Sequence, residues 1–249
     1  MFPYKVDNPR AGPAFGTAGI IALNALVWVG LQGAGDEKQL VSSLCDWGLI
    51  AGRLTGHVAS GATLALGEGA SCTVGSTPAW ITPLTSMFMH GGWFHLLGNM
   101  WFLWLFGPNI EDAMGSLRYI AFYVLVGLLA AAGQVLSDPS SPLPMVGASG
   151  AISGVMGAYL VLFPQVRVHM WIFLAIFITK TTVPAWAMLL YWFALQVIDA
   201  NVGAVEPAGG GVAFTAHIAG FVSGALLVLL FRDRERLQGR DGLSSGWSA

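Results

Sequence analysis

Six long windows in this chain contain no Asp, Glu, Lys or Arg, and they limit its possible folds more than any other feature. They run from Ala11 to Gly35, Gly69 to Ile110, Tyr119 to Ser137, Pro139 to Val166, Thr181 to Ile198 and Pro207 to Phe231. A membrane-crossing helix needs about 20 mostly apolar residues, and each window supplies one or most of one. Charged residues make up 10% of the chain, against about 25% in soluble domains. The expected fold class is all-α, a polytopic membrane protein with six transmembrane helices in one bundle. Residues 1–14 then form a cytosolic lead, 15–231 the six-helix domain with an outer loop at 36–83, and 232–249 a disordered cytosolic tail. The apolar run Phe15 to Leu31 is longer than the core of a secretory signal and has no small-residue cleavage site, so it reads as a retained first helix.

Charge adds topology and excludes one class of partner. A formal charge of −2 leaves no basic patch to neutralise phosphates, so nucleic acid is not an expected partner. With the N-terminus in the cytosol, Lys5, Arg10, Arg118, Arg167, Lys180, Arg232, Arg234, Arg236 and Arg240 lie inside, and only Lys38 and Arg53 outside. Nine against two is the positive-inside bias expected of that orientation.

Along the chain, Asn24 in the first span is expected to bond a neighbouring helix, as polar groups in lipid do. The segment 36–83 reads as a loop partly embedded in the interface. It holds both cysteines, Cys45 and Cys72, which either pair on an oxidising face or remain free thiols. The second span is expected over Trp93 to Ile110, ending at Gly107-Pro108. The third, Tyr119 to Val135, carries no ionisable group. The fourth opens at Ser149 and reaches Phe163-Pro164, with Ser149, Ser153 and Gly157 in one row. Gln165 to Pro184 reads as irregular, with Val168 to Ile178 lying at the cytosolic interface. The fifth span is Ala185 to Ile198, followed by a flexible loop at Asn201 to Gly211. The sixth, from about Val212 to Phe231, carries the row Ala216, Gly220, Gly224. Such small-residue rows let helix backbones approach closely.

Three stretches carry chemistry: His95-Leu96-Leu97-Gly98-Asn99, Met145-Val146-Gly147-Ala148-Ser149-Gly150 and Ala216-His217-Ile218-Ala219-Gly220. A serine hydroxyl needs an adjacent base to act as nucleophile, and histidine titrates near operating pH. Ser149 and His217 are expected at the same outer depth on two helices that pack closely. The second, fourth and sixth spans hold no carboxylate; the nearest, Asp138, Asp199 and Glu206, belong to loops or a helix end. The pattern therefore points to a dyad rather than a triad. Amides in the first turn of the fourth helix lack intrahelical partners and suit a developing oxyanion. Asn99 and His95, four residues apart on one helix face, can add side-chain donors, and Gly147 leaves room for a substrate backbone. No third ligand accompanies them at metal spacing, so no metal is expected.

These stretches resemble the rhomboid family of intramembrane serine proteases. Gly147-Ala148-Ser149-Gly150 is similar to its nucleophile motif, Ala216-His217-Ile218-Ala219-Gly220 to its general-base motif, and His90-Gly91-Gly92-Trp93-Phe94-His95-Leu96-Leu97-Gly98-Asn99 to its oxyanion stretch. Asp7-Asn8-Pro9 and Gly107-Pro108-Asn109-Ile110-Glu111-Asp112 resemble bacterial members. The resemblance implies Ser149 as nucleophile, His217 as base, and oxyanion contacts from Asn99, His95 and the Ser149 and Ala148 amides. It implies single-span or other membrane-protein substrates cut near the outer face, no cofactor, and a multi-pass protein of a bacterial cytoplasmic membrane. It says nothing of oligomeric state. Some members carry a Tyr four residues after the serine, beside the histidine; here that position is Ser153. A Trp-Arg pair common in the family's first outer loop is also absent. A second expectation is a non-catalytic chaperone or scaffold that holds client helices. A transporter is disfavoured, because intramembrane carboxylates and an internal repeat are both missing.

Overall fold

In the computed structural model of the protein, residues 2–67, 70–174, 177–203 and 213–238 are described. The long helices are α1 (Phe15–Gly30), α5 (Trp93–Met114), α6 (Ser116–Ser137), α7 (Ser149–Leu162), α8 (Ala185–Gly203) and α9 (Phe214–Phe231). Between α1 and α5 lie α2 (Glu37–Trp47) and two single turns, α3 (Ala51–Leu54) and α4 (Thr82–Thr85). Strands are short: β1 (Phe2–Val6), β2 (Leu49–Ile50), β3 (Thr63–Gly67), β4 (Ala70–Thr73), β5 (Pro144–Met145), β6 (Arg167–Leu174) and β7 (Phe177–Pro184). Among the described residues, α6 and α9 are the helices both long and apolar enough to meet a membrane-span criterion.

Helix α7 is the centre of the bundle, with Gly150 through Tyr159 all buried. Its glycine row meets that of α9. A Cβ added at Gly224 would overlap the Gly154 carbonyl, one at Gly220 the Gly150 carbonyl, and one at Gly157 the Phe221 carbonyl. The two backbones therefore touch, which side chains at these positions would prevent. Around them Phe106, Tyr119, Phe122, Tyr123, Val126, Val155 and Tyr159 form the buried core.

The structure corrects several sequence expectations. The chain is helix-rich but not all-α. β1, β6 and β7 form a three-stranded antiparallel sheet, with Phe2 opposite Trp171 and Val6 opposite Val168. The stretch read as irregular thus holds β6 and β7, and the polar lead at the N-terminus holds β1. In β6 Val168 and Met170 turn into the core, the period-2 pattern of a half-buried strand. The segment 36–83 is more than a loop: α2 is capped by Asp36, whose side chain accepts the Gln39 amide at 3.1 Å, and β3 pairs with β4. Cys45 and Cys72 join α2 to β4 as a disulfide with Cα atoms 6.2 Å apart.

Helix α5 does not stop at Gly107-Pro108 but continues to Met114, with Pro108 inside it. Proline removes one ladder bond, yet every residue from Leu105 to Met114 is buried, and that packing holds the extra turn. The extension brings Glu111 inside the bundle, where it accepts the Gly16 amide at 2.7 Å, the Thr17 amide at 2.7 Å and the Thr17 hydroxyl at 2.8 Å. A carboxylate there satisfies the orphan donors of α1 and complements its dipole. Asn24 bonds the Ile20 carbonyl of its own helix at 2.8 Å, not a neighbour. The start of the flexible loop expected at Asn201 to Gly211 instead continues α8 to Gly203, and the remainder, including Glu206, lies outside the described residues. Of the tail expected disordered from 232, residues 234–238 are helical, and 239 onward lies outside the described residues.

Candidate active site

Ser149 is the first residue of α7 and His217 sits in the first turn of α9. The glycine contact between these helices brings the two starts together, and His217 Nε2 lies 2.8 Å from Ser149 Oγ. Ser149 is half-buried and His217 is 8% exposed. Both line a cavity of about 760 Å³, together with His95, Asn99, Gly147, Ser86, Met87 and Trp192. All the sequence-predicted chemical side chains therefore share one cavity.

The donors beside the serine are set from below by α5. Gln32, at the end of α1, donates to the His90 carbonyl at 2.7 Å and accepts the His90 amide at 2.8 Å. This double bond fixes the turn that leads into α5. The Gly91 amide donates to His95 Nδ1 at 3.3 Å, which makes Nδ1 the acceptor and leaves the ring proton on Nε2. A Cβ placed on Gly147 would lie 2.7 Å from His95 Nε2 and 3.6 Å from Asn99 Nδ2. Two N–H donors thus converge on the backbone just before Ser149. The Asn99 amide nitrogen is buried with no partner among the described residues, a donor held without an acceptor.

Gly147 itself has φ +124°, a conformation that favours glycine. Its amide donates to the Ser86 carbonyl at 2.9 Å. Just upstream, β5 pairs with β2, Met145 opposite Leu49, so the approach to Ser149 is tied to the segment stapled by the disulfide. Ala148 is fully buried and its carbonyl accepts the Ile152 amide at 3.0 Å, starting the helix. Ser153, in place of an aromatic, donates its hydroxyl to the Ser149 carbonyl at 2.7 Å rather than to the histidine.

Two residues that the motifs do not contain complete the surroundings of His217. Gln196 of α8 places its Oε1 2.6 Å from His217 Nδ1. Trp192, one turn earlier, packs its ring 5.9 Å from the imidazole. The signal for Gln196 was present in the sequence as the one strongly polar side chain within Ala185 to Ile198; such a residue in an apolar span needs a partner.

With this geometry established, comparisons with known proteins identify the family. A rhomboid domain matches residues 77–234, more than half of the chain and all of the cavity-lining helices α5 to α9. The chain is 30% identical over 146 residues to RHOMBOID-like protein 5 of Arabidopsis thaliana, covering 59% of this chain and 43% of that protein. It is 36% identical over 81 residues to the putative rhomboid protease YdcA of Bacillus subtilis, 32% of this chain and 40% of that one. Against the rhomboid protease GluP of the same organism it is 40% identical over 81 residues, 32% of this chain and 15% of the relative. The matched region spans less than half the length of each of these relatives. The helix-rich bundle and the domain match agree, and the chain belongs to the rhomboid family.

Proposed function

We propose that this protein is an intramembrane serine endopeptidase that cuts membrane-anchored protein substrates near the outer membrane face, using Ser149 and His217 as a dyad. The observation that carries this reading is the 2.8 Å contact between His217 Nε2 and Ser149 Oγ, made across two helices inside a cavity with free N–H donors. In this reading α1, α5, α6, α8 and α9 cross the bilayer of a bacterial cytoplasmic membrane, and α7 lies within it. The termini and the β1–β6–β7 sheet are cytosolic, and segment 36–83 lies on the outer side. Apolar side chains on the outer surface of the bundle support it: Phe94 is 94% and Leu230 79% exposed, and water-soluble monomers rarely present such faces. Helix α7 has 14 residues, about 21 Å of rise, against a hydrocarbon core of about 30 Å. Seated at the cytosolic side, it leaves Ser149 recessed below the outer surface, in a water-filled cavity.

The chemistry follows from the positions. As Ser149 Oγ attacks the scissile carbonyl carbon, its proton passes to His217 Nε2 and the carbonyl oxygen becomes an oxyanion. Asn99 Nδ2, His95 Nε2–H and the Ser149 and Ala148 amides donate to it; one such donor is worth about 3–4 kcal/mol. His217 then gives its proton to the leaving amine, the C–N bond breaks, and an acyl-enzyme remains on Ser149. Water, deprotonated by His217, attacks that ester, and the proton returns to Ser149 as the new carboxyl product departs. The test is cleavage of a single-span substrate in lipid vesicles. Wild type should release two fragments, and Ser149→Ala and His217→Ala should each release none while keeping the fold. Cleavage at the wild-type rate by either variant contradicts the assignment.

A further inference from the structure

The side of His217 that faces away from Ser149 is as closely built as the side that faces it. Its Nδ1 meets Gln196 Oε1 at 2.6 Å, both groups being buried. The Trp192 ring lies 5.9 Å from the imidazole at an interplanar angle of 37°, and the Phe214 ring 6.4 Å away, edge-on at 90°. Trp192 and Gln196 are four apart on α8 and so share one face of that helix. The residue one turn after Ser149, Ser153, is turned back to the Ser149 carbonyl, so its hydroxyl makes no hydrogen bond to the ring.

We infer that Gln196 is the positioning residue for His217: its carbonyl oxygen holds the imidazole in the Nδ1–H tautomer, while Trp192 fixes the ring plane. An amide oxygen only accepts, so the shared proton must sit on Nδ1. That leaves Nε2 unprotonated toward Ser149 Oγ, which is the state a general base requires. In the established serine triads a buried carboxylate does this work; here a neutral amide from a separate helix does it without placing a charge in the bilayer. The inference rests on the proteolytic reading for its kinetic consequence but not for its structural one.

The two are tested separately. In bilayers, the ¹⁵N chemical shifts of His217 in histidine-labelled protein report the tautomer directly. Wild type should show Nδ1 protonated and Nε2 bare, and Gln196→Leu, which keeps size and loses the acceptor, should give a mixture of tautomers. On a single-span substrate, Gln196→Leu should lower kcat about tenfold or more, part of the 10²–10⁴ that a general base contributes, with KM unchanged. Gln196→Glu, which restores an acceptor oxygen, should recover both the tautomer and most of kcat. A wild-type His217 protonated on Nε2, or a Gln196→Leu protein with unchanged tautomer and kcat, would overturn the assignment. A tautomer that responds to Gln196 in a wild-type protein with no cleavage activity would uphold the positioning role and refute the protease.

Discussion

At the scale of single residues, the cavity works through atoms held without their usual partners. The Asn99 amide nitrogen is buried and unpartnered among the described residues, a desolvation cost that an acceptor in the proposed reaction would offset. Asn99→Leu is therefore expected to lower kcat about 10²-fold while leaving KM within a few-fold, the pattern of a contact made in the transition state. Steady-state kinetics on a single-span substrate separates the two parameters. Gly147 is the second such position. Its φ of +124° and the 2.7 Å approach of His95 Nε2 to a Cβ placed there leave no room for a side chain. Gly147→Val is expected to displace the His95 ring and reduce cleavage more than Asn99→Leu does. Ser149, His217, His95 and Asn99 were legible from the sequence because each chemical type recurs at a helix start or at i, i+4 spacing. Gln196 was legible only as a polar group in need of a partner, because a lone amide has no motif and its partner lies 21 positions away on another helix.

At the scale of elements, the helices were readable and the strands were not. Uncharged windows mark helices long enough to be seen by length alone. The β6 stretch Arg167–Leu174 is apolar and short, and only its period-2 burial separates it from an interfacial helix. Its partner β1 is contributed from more than 160 residues away, which no local pattern reports. That sheet is pinned by Asp7, which lies 2.7 Å from His169 Nε2 and 3.0 Å from Lys5 Nζ. The His169 hydrogen bond, with a smaller contribution from Lys5, holds the Asp7 carboxyl below its ordinary value of 3.8. A depressed carboxylate stabilises the fold above the unfolded value and stops doing so as pH falls through the folded one. Protection of the β1 amides from hydrogen exchange should thus persist down to pH 3.8 and decline below it, and Asp7→Asn should remove that step. Pro108 misled for the opposite reason: a helix breaker by propensity, it is overridden by burial of the whole last turn of α5. Glu111, which that turn carries to the start of α1, caps several donors at once. Glu111→Ala is expected to lower thermal stability by about 2 kcal/mol or more, since buried donors lose a charged acceptor; unfolding midpoints in vesicles or detergent check it.

At the scale of the whole molecule, the glycine-packed pair α7 and α9 holds Ser149 beside His217, and the surrounding elements hold that pair in turn. α5 brings the N–H donors, α8 brings Gln196 and Trp192, and the 36–83 segment reaches the approach to Ser149 through the β2–β5 pairing. The disulfide closes a 27-residue separation within that segment; by chain entropy such a closure stabilises by about 3–4 kcal/mol. Reduction should loosen β2 and β5 in hydrogen exchange before the α7–α9 pair responds. Reaction with a fluorophosphonate in native membranes tests whether Ser149 is a nucleophile activated by His217. One phosphonyl group per chain is expected, located on Ser149 by peptide mass spectrometry and absent from His217→Ala. Labelling that is undiminished in Ser149→Ala, or an intact wild-type protein that takes up no label, would contradict it.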